Sequence, residues 1–378
     1  MKAIYLDHNA TTPLDPRVLD AMMPYLREEY GNPSCRYGPG VNAAYAVERA
    51  RLQVAKLIGA KPGEIIFTSG GTESNNLALR GAVRSMGRKH IVTTSVEHPA
   101  VLNTCKDLEH YENCTLSILP VDAEGRIAPH KVIRAVTART AVVSVMTANN
   151  EIGTIQPIAE IGSLLQKEDV LFHTDAVQAF GRIPLNVVNL HVDLLSLSGH
   201  KIFGPKGIGA LYIREGVSLR PQITGGEQEF GLRGGTPNVP AIAGLGMAAE
   251  LARLEMDNRS VRITSLAEQL RDRLLSAIPG LLINSPPRDC LPGTLNISIP
   301  GVSAPRLVES LDREGICVSS GCACSEGKRG PSQVVLAVTG DPDRAMSCIR
   351  FSIGPENTMD EINHVALTLP KLLSHPTP

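Results

Sequence analysis

Lys201 closes the run Leu195-Ser-Leu-Ser-Gly-His-Lys201, an aliphatic stretch of strand length that ends among Ser, Gly and His. A lysine in such a place can be desolvated, which lowers its pKa and suits it to Schiff-base formation. A surface lysine in a Gly-rich loop is the plainer alternative. One strand earlier, Val170-Leu-Phe-His-Thr-Asp-Ala-Val-Gln178 ends its aliphatic run in Asp175. Ligands of open α/β sheets bind at the carboxyl ends of strands, so this carboxylate faces either a ligand or the start of the next helix as a cap. Thr68-Ser-Gly-Gly-Thr-Glu-Ser-Asn-Asn76 follows a strand and opens a helix, with Gly71 and Thr72 at the turn. Backbone N–H groups and a hydroxyl at a helix start can take a phosphate, although an ordinary N-cap has the same composition. The three segments together are more specific than any one of them. A phosphate-binding helix start, an acid at one strand end and a lysine at another compose a site for pyridoxal phosphate.

A second kind of chemistry is written in Ser319-Ser-Gly-Cys-Ala-Cys324-Ser-Glu-Gly-Lys-Arg-Gly-Pro331. Cysteines among Gly and Ser are poorly buried and suited to reaction, whereas structural cysteines favour aliphatic surroundings. Cys322 and Cys324 have no second Cys or His pair at zinc spacing, so no metal site is expected. A redox pair would be strained at this separation. Arg350, after a strand-like run, can fork onto a carboxylate or serve as a surface residue.

The elements that must position these groups are legible between Glu64 and Tyr212. Strand-like runs at Ile65–Phe67, His90–Thr94, Leu116–Leu119, Ala141–Val145, Val170–His173, Leu194–Leu197 and Ile208–Ile213 alternate with helical patterns such as Glu73–Val83 and Ile158–Gln166. Such alternation predicts an α/β fold with a mostly parallel sheet covered by helices on both faces. A helical pattern from Val239 to Leu254 leads into a smaller α+β region beginning near Asn258. Its expected elements are a helix, a strand (Thr294–Ile299), a helix (Ala304–Glu314), a short strand (Gly315–Val318), and a final strand and helix. The expected division is a large domain, 13–255, and a small one, 256–378 with residues 1–12, carrying the cysteine segment.

Composition excludes several classes. The chain has 378 residues, 43% hydrophobic and 20% charged, which is ample for a buried core and unlike a disordered chain. Lys plus Arg (37) balances Asp plus Glu (38), so no electrostatic footprint for nucleic acid or an anionic membrane is present. No apolar run approaches the roughly 20 residues of a membrane helix. The N-terminal residues have no signal-peptide pattern, and eight cysteines are too sparse for a disulfide scaffold, so a cytoplasmic location is expected.

The chain resembles the NifS/IscS-type cysteine desulfurases among the fold-type I pyridoxal phosphate enzymes. The resemblance runs from Tyr5-Leu-Asp-His-Asn-Ala-Thr-Thr-Pro13 to Arg350-Phe-Ser-Ile-Gly354. Between them lie Gly31-Asn-Pro-Ser34, Glu97-His-Pro-Ala-Val101, Asn149-Asn-Glu-Ile-Gly153, Ser198-Gly-His-Lys201 and Arg233-Gly-Gly-Thr236. It implies that Lys201 carries the cofactor, Asp175 pairs with its pyridine nitrogen and Gln178 with its ring oxygen. His98 would stack on the ring and move protons. Gly71, Thr72, Ser198 and His200 would hold the phosphate, with Thr236 reaching across from a homodimer partner. Asn150 and Arg350 would bind the carboxylate of L-cysteine.

By the same resemblance Cys324 is the nucleophile that takes the substrate's sulfur, releasing alanine and passing sulfur to an acceptor protein. That acceptor could serve iron–sulfur clusters, tRNA thiolation or DNA phosphorothioation. Selenocysteine cleavage or transamination on the same cofactor is the alternative activity. Departures from the family pattern are Cys322 in place of Ser, Glu227 and Phe230 in place of Gly and Arg, and Gly354-Pro-Glu-Asn-Thr after Arg350. They fall on stretches that would face partners rather than on the chemistry.

Overall fold

The computed structural model describes residues 3–321 and 330–374. Its strands are β1 (Ile4–Tyr5), β2 (Ile65–Thr68), β3 (His90–Thr94), β4 (Thr115–Leu119), β5 (Thr140–Ser144), β6 (Leu171–Asp175), β7 (Leu194–Ser198), β8 (Gly209–Ile213), β9 (Leu282–Ile283), β10 (Thr294–Ser298), β11 (Ile316–Cys317), β12 (Ser319–Ser320) and β13 (Cys348–Ser352). Helices α1 (Pro16–Arg27) and α2 (Gly38–Ile58) precede the first strand of the main sheet, and the expected pattern had no counterpart for them. Between strands come α3 (Gly71–Met86), α4 (Pro99–Glu112), α5 (Pro129–Ala135), α6 (Ile158–Leu165) and α7 (Val187–Leu190). The second half holds α8 (Val239–Ala277), α9 (Ala304–Arg313), α10 (Gln333–Thr339), α11 (Pro342–Met346) and α12 (Met359–Ser374).

The main sheet has seven strands in the order β2-β8-β7-β6-β5-β3-β4, and only β8 runs antiparallel to its neighbours. Most of its strands are buried along their whole length, as continuous aliphatic runs with helices on both faces require. One face packs Val54, Ile58 and Leu245 against Val143, Phe172 and Leu195. The other packs Leu79, Val83 and Leu108 against Ile91 and Val142. From β3 the chain steps outward to β4, then returns on the other side through β5, β6 and β7. That reversal places a crevice at the carboxyl ends of β3 and β5, where open sheets bind ligands.

A four-stranded sheet, β12-β13-β10-β9, has its own cluster, in which Leu6 joins Leu270, Ile297, Leu311, Phe351 and Val365. Strand β1 pairs in parallel with β11, so the N-terminus lies against this second cluster. A division at 13–255 and 256–378, with 1–12 joining the small part, stays a proposal supported by these separate clusters. The expected change of element near Asn258 is not what forms: α8 continues for 39 residues, to Ala277. Its apolar period lapses between the two clusters because those turns face polar surroundings. Nothing there breaks a helix, and Arg259 pairs with Glu255 one turn away.

The loop before α8 is held by a buried ion pair. Arg51 (side chain 4% exposed) meets Glu229 (6%) at 2.9 Å, and the guanidinium lies between the Phe67 and Phe230 rings. Glu229 and Phe230 both take positive φ, 47° and 58°, a conformation that costs non-glycine residues energy and needs such an anchor. Glu229→Ala removes the buried partner of this guanidinium and leaves it the more exposed Glu48 and the Ile65 carbonyl, so we expect a loss of about 3 kcal/mol in denaturant-induced unfolding. A loss below about 0.5 kcal/mol, the scale of surface changes, would sink this reading of the anchor.

Candidate active site

A cavity of about 290 Å³ opens at the carboxyl edge of the main sheet. Five strands deliver to it. After β2, Gly71 and Thr72 start α3; after β3 comes His98; after β5, Asn150; Asp175 ends β6; Ser198, His200 and Lys201 end β7. Gln178 and, from β13, Arg350 complete the wall. Thus the residues singled out in three sequence segments and by the resemblance converge on one space. Thr236 does not: it is exposed and lies outside the lining. Cys324 and Cys322 fall outside the described residues.

Asp175 is 5% exposed, and both its oxygens are engaged: Oδ2 accepts from Asn75 Nδ2 at 2.7 Å, Oδ1 from the Val177 N–H at 3.0 Å. Two such donors fix the orientation of the carboxylate in the wall of the cavity. Asn75 escaped the sequence reading. A polar residue 1% exposed on the buried side of α3, among Leu77, Ala78 and Leu79, is the signal that could have found it.

Lys201 ends a short 3₁₀ turn, and its Nζ donates to the carbonyl oxygens of Asn9 (2.6 Å) and Ala10 (2.7 Å). His200 is neutral, its pKa pushed down to about 4 by burial and by the Lys201 and Lys206 charges. His98 caps α4, with Nδ1 accepting from the Ala100 N–H at 3.1 Å. A neutral imidazole that accepts at Nδ1 keeps its proton on Nε2. Burial, with Lys201 nearby, lowers the His98 pKa despite the opposing pull of Asp175.

The opposite wall carries a buried guanidinium. Arg350 is 2% exposed, donates from Nη2 to Asp7 (2.6 Å) and from Nη1 to the Asn150 carbonyl (2.9 Å), and leaves Nε buried with no acceptor. A buried donor without a partner is rare in a native fold and calls for an explanation.

Glu97, beside His98, ties this turn to the end of β5. Its Oε1 accepts from Thr94 Oγ1 and from the Met146 N–H, both at 2.8 Å, while Oε2 is buried and unpartnered. Burial pushes its pKa up to about 8. The folded protein therefore binds a proton that the unfolded chain releases above its ordinary value of 4.5, so stability falls as pH rises between 4.5 and about 8. Glu97→Gln keeps the shape and cannot ionise. We expect its melting temperature to exceed that of the parent by a few degrees at pH 9 and to match it at pH 5, by scanning calorimetry. An equal difference at both pH values would contradict the assignment.

A model of the family described as "Aminotransferase class-V" matches residues 4–365. The chain belongs to this family. Its relatives within the family include the "Cysteine desulfurase, mitochondrial" of Drosophila melanogaster, 48% identical over 97% of this chain and 79% of the relative. The "Cysteine desulfurase" of Trichormus azollae is 45% identical over 99% of this chain and 93% of its own length. Among solved structures, a "NifS-like protein" superposes with a TM-score of 0.92 at 38% identity, covering 98% of this chain and 99% of that one. As a class-V aminotransferase of the NifS-like, fold-type I kind, the chain has the expected fold: a large, mostly parallel sheet between helices with a smaller α+β part. Among its described residues, no helix is long and apolar enough to cross a membrane.

Proposed function

We propose that this class-V aminotransferase relative is a cysteine desulfurase that converts L-cysteine to L-alanine with pyridoxal phosphate and hands the sulfur to Cys324. The observation that carries the reading is the meeting of Lys201, the doubly supported Asp175 and the buried, partly unpaired Arg350 around one cavity. The cavity suits the cofactor. At Gly71 a Cβ would sit 2.6 Å from Val177 Cγ2, so the helix start closes against the wall only as glycine. The first N–H groups of α3 have no carbonyl one turn back and, with Thr72, Ser198 and His200, would hold the phosphate.

When bound, pyridoxal phosphate supplies an electron-poor ring that accepts the charge left on the substrate's α-carbon. Asp175, oriented by Asn75 and Val177, would pair with the pyridine nitrogen. Gln178 would face the ring oxygen, and His98 would lie over the ring. The orphan Nε–H of Arg350, with Asn150, would bind the substrate carboxylate. Lys201 is the attachment amine and takes the α-proton on Nζ. His98 is unsuited to that step because its Nδ1 is committed to Ala100. The Cys324 thiolate attacks the substrate sulfur. An S–S bond forms, the C–S bond breaks, and its electron pair stays on the substrate carbon, which is protonated to alanine.

A homodimer belongs to the reading. Thr236 is exposed on a loop that Arg233 ties to Glu73 beside Thr72, and Tyr30, Tyr37, Tyr45 and Phe230 expose apolar surface. A second copy would cover that surface and receive Thr236. A sulfur-acceptor protein and a cytoplasmic location complete the proposal, with Cys105, Cys114 and Cys290 free thiols as a reducing compartment keeps them. The test is alanine and sulfide release from L-cysteine by the cofactor-loaded protein with added thiol. Stoichiometric alanine and sulfide are expected; pyruvate, or no amino-acid product, would overturn the reading.

A further inference from the structure

Asn9 is 1% exposed and sits where the N-terminal segment passes under the cavity. Its main-chain N–H donates to Ser352 Oγ at 2.9 Å, and its carbonyl accepts from Lys201 Nζ (2.6 Å) and Gln178 Nε2 (2.9 Å). In the side chain, Oδ1 accepts from Arg182 Nη1 at 2.6 Å, while Nδ2 donates to the Asn150 carbonyl (3.1 Å) and to Thr294 Oγ1 (3.0 Å). The Asn150 carbonyl also receives Arg350 Nη1. The amide cannot be turned over, because the Arg182 guanidinium only donates and so demands the oxygen. One residue thus grips the lysine side of the cavity with its backbone and the carboxylate-reading side with its amide nitrogen.

We propose that Asn9 is a positioning residue that sets the Asn150–Arg350 pair against Lys201, so that its amide nitrogen governs affinity for the substrate's carboxylate. The proposal rests on the desulfurase reading of the cavity. Asn150 O is shared by two donors, and losing the Asn9 donor lets both the turn at 150 and the Arg350 fork shift. A misplacement of about an ångström is enough to cost a large factor in a site that works by orientation. The acceptor for Lys201 is a main-chain atom that both Asn9→Asp and Asn9→Ala retain.

Asn9→Asp separates position from stability. Arg182 has no carboxylate within ion-pair distance among the described residues, so the new carboxylate gives this buried cation a partner while the donor to Asn150 is lost. Asn9→Ala removes the same donor without adding charge. For both variants we expect KM for L-cysteine to rise about tenfold or more with a smaller change in kcat, the scale of a lost buried hydrogen bond. The absorption titration of the bound cofactor with L-alanine, which needs no turnover, should weaken by a similar factor. The cofactor content and, for Asn9→Asp, the melting temperature should match the parent. Parental KM and L-alanine affinity in both variants would overturn the proposal, as would a rise in Asn9→Asp alone, which would be charge repulsion. Should Asn9→Ala not fold, Asn9→Asp with parental values overturns it by itself. A parent protein that makes no alanine would instead sink the desulfurase reading, and the L-alanine titration would still judge Asn9.

Discussion

Lys201→Ala is expected to abolish alanine formation from L-cysteine, by at least about 10³-fold, while the protein stays folded and retains pyridoxal phosphate without a covalent bond. The expectation follows from where the remaining groups stand. Asp175 is held by Asn75 and Val177, and the helix start at Gly71 and Thr72 is independent of the lysine, so the cofactor's two ends keep their partners. Among the described residues of the cavity, the other candidate bases are poorly placed to take the proton. His98 has one nitrogen accepting from Ala100 and the other protonated, and its lowered pKa opposes gaining a second proton. Asp175 is engaged at both oxygens. The measurements are alanine release and the absorption spectrum of the bound cofactor, which should become that of the free aldehyde. Near-parental alanine release would mean that Lys201 is not the working amine.

What the sequence displays of this site depends on how local the signal is. Asp175 and Lys201 stand out because each closes an aliphatic run of strand length, and a strand's end is where an α/β sheet binds ligands. The helix start at Gly71 is visible for the same local reason. Asn9 and Asp7 carry no such signal. Their partners lie far along the chain, at separations of 141 residues for Asn9 to Asn150 and 343 for Asp7 to Arg350, and only folding brings them within hydrogen-bond distance. Asn75 is intermediate: its helix is legible, but its contact with Asp175 spans 100 residues. The continuation of α8 past Asn258 was hidden by a different effect. Hydrophobic period reports which face is buried, and it falls silent where a helix bridges two clusters, although the helix itself goes on.

Cys324→Ala is expected to cut alanine formation from L-cysteine by at least about 10³-fold, the scale on which loss of an enzyme's nucleophile registers, while leaving cofactor binding intact. Cys324 itself lies outside the described residues, but the strand that leads to it does not. Ser319 in β12 pairs directly with Arg350 in β13, and the far flank is fixed by Ser332 Oγ donating to Glu151 Oε2 at 2.5 Å, beside Asn150. The described flanks of the cysteine segment, Ser319 and Ser332, thus both stand beside the Asn150–Arg350 wall. In the proposed reaction the Cys324 thiolate attacks the sulfur of a bound cysteine, and without it the C–S bond has no acceptor for its sulfur. Selenocysteine is the informative control, because its C–Se bond breaks more readily and its cleavage can survive the loss of the thiol. Cys322→Ala serves as the neighbour control and should leave alanine formation within a few-fold of the parent. Alanine formation retained by Cys324→Ala but lost in Cys322→Ala would move the nucleophile to Cys322. Retention in both single variants and in the double variant would mean that the sulfur leaves without any enzyme thiol, and the persulfide route would have to be abandoned.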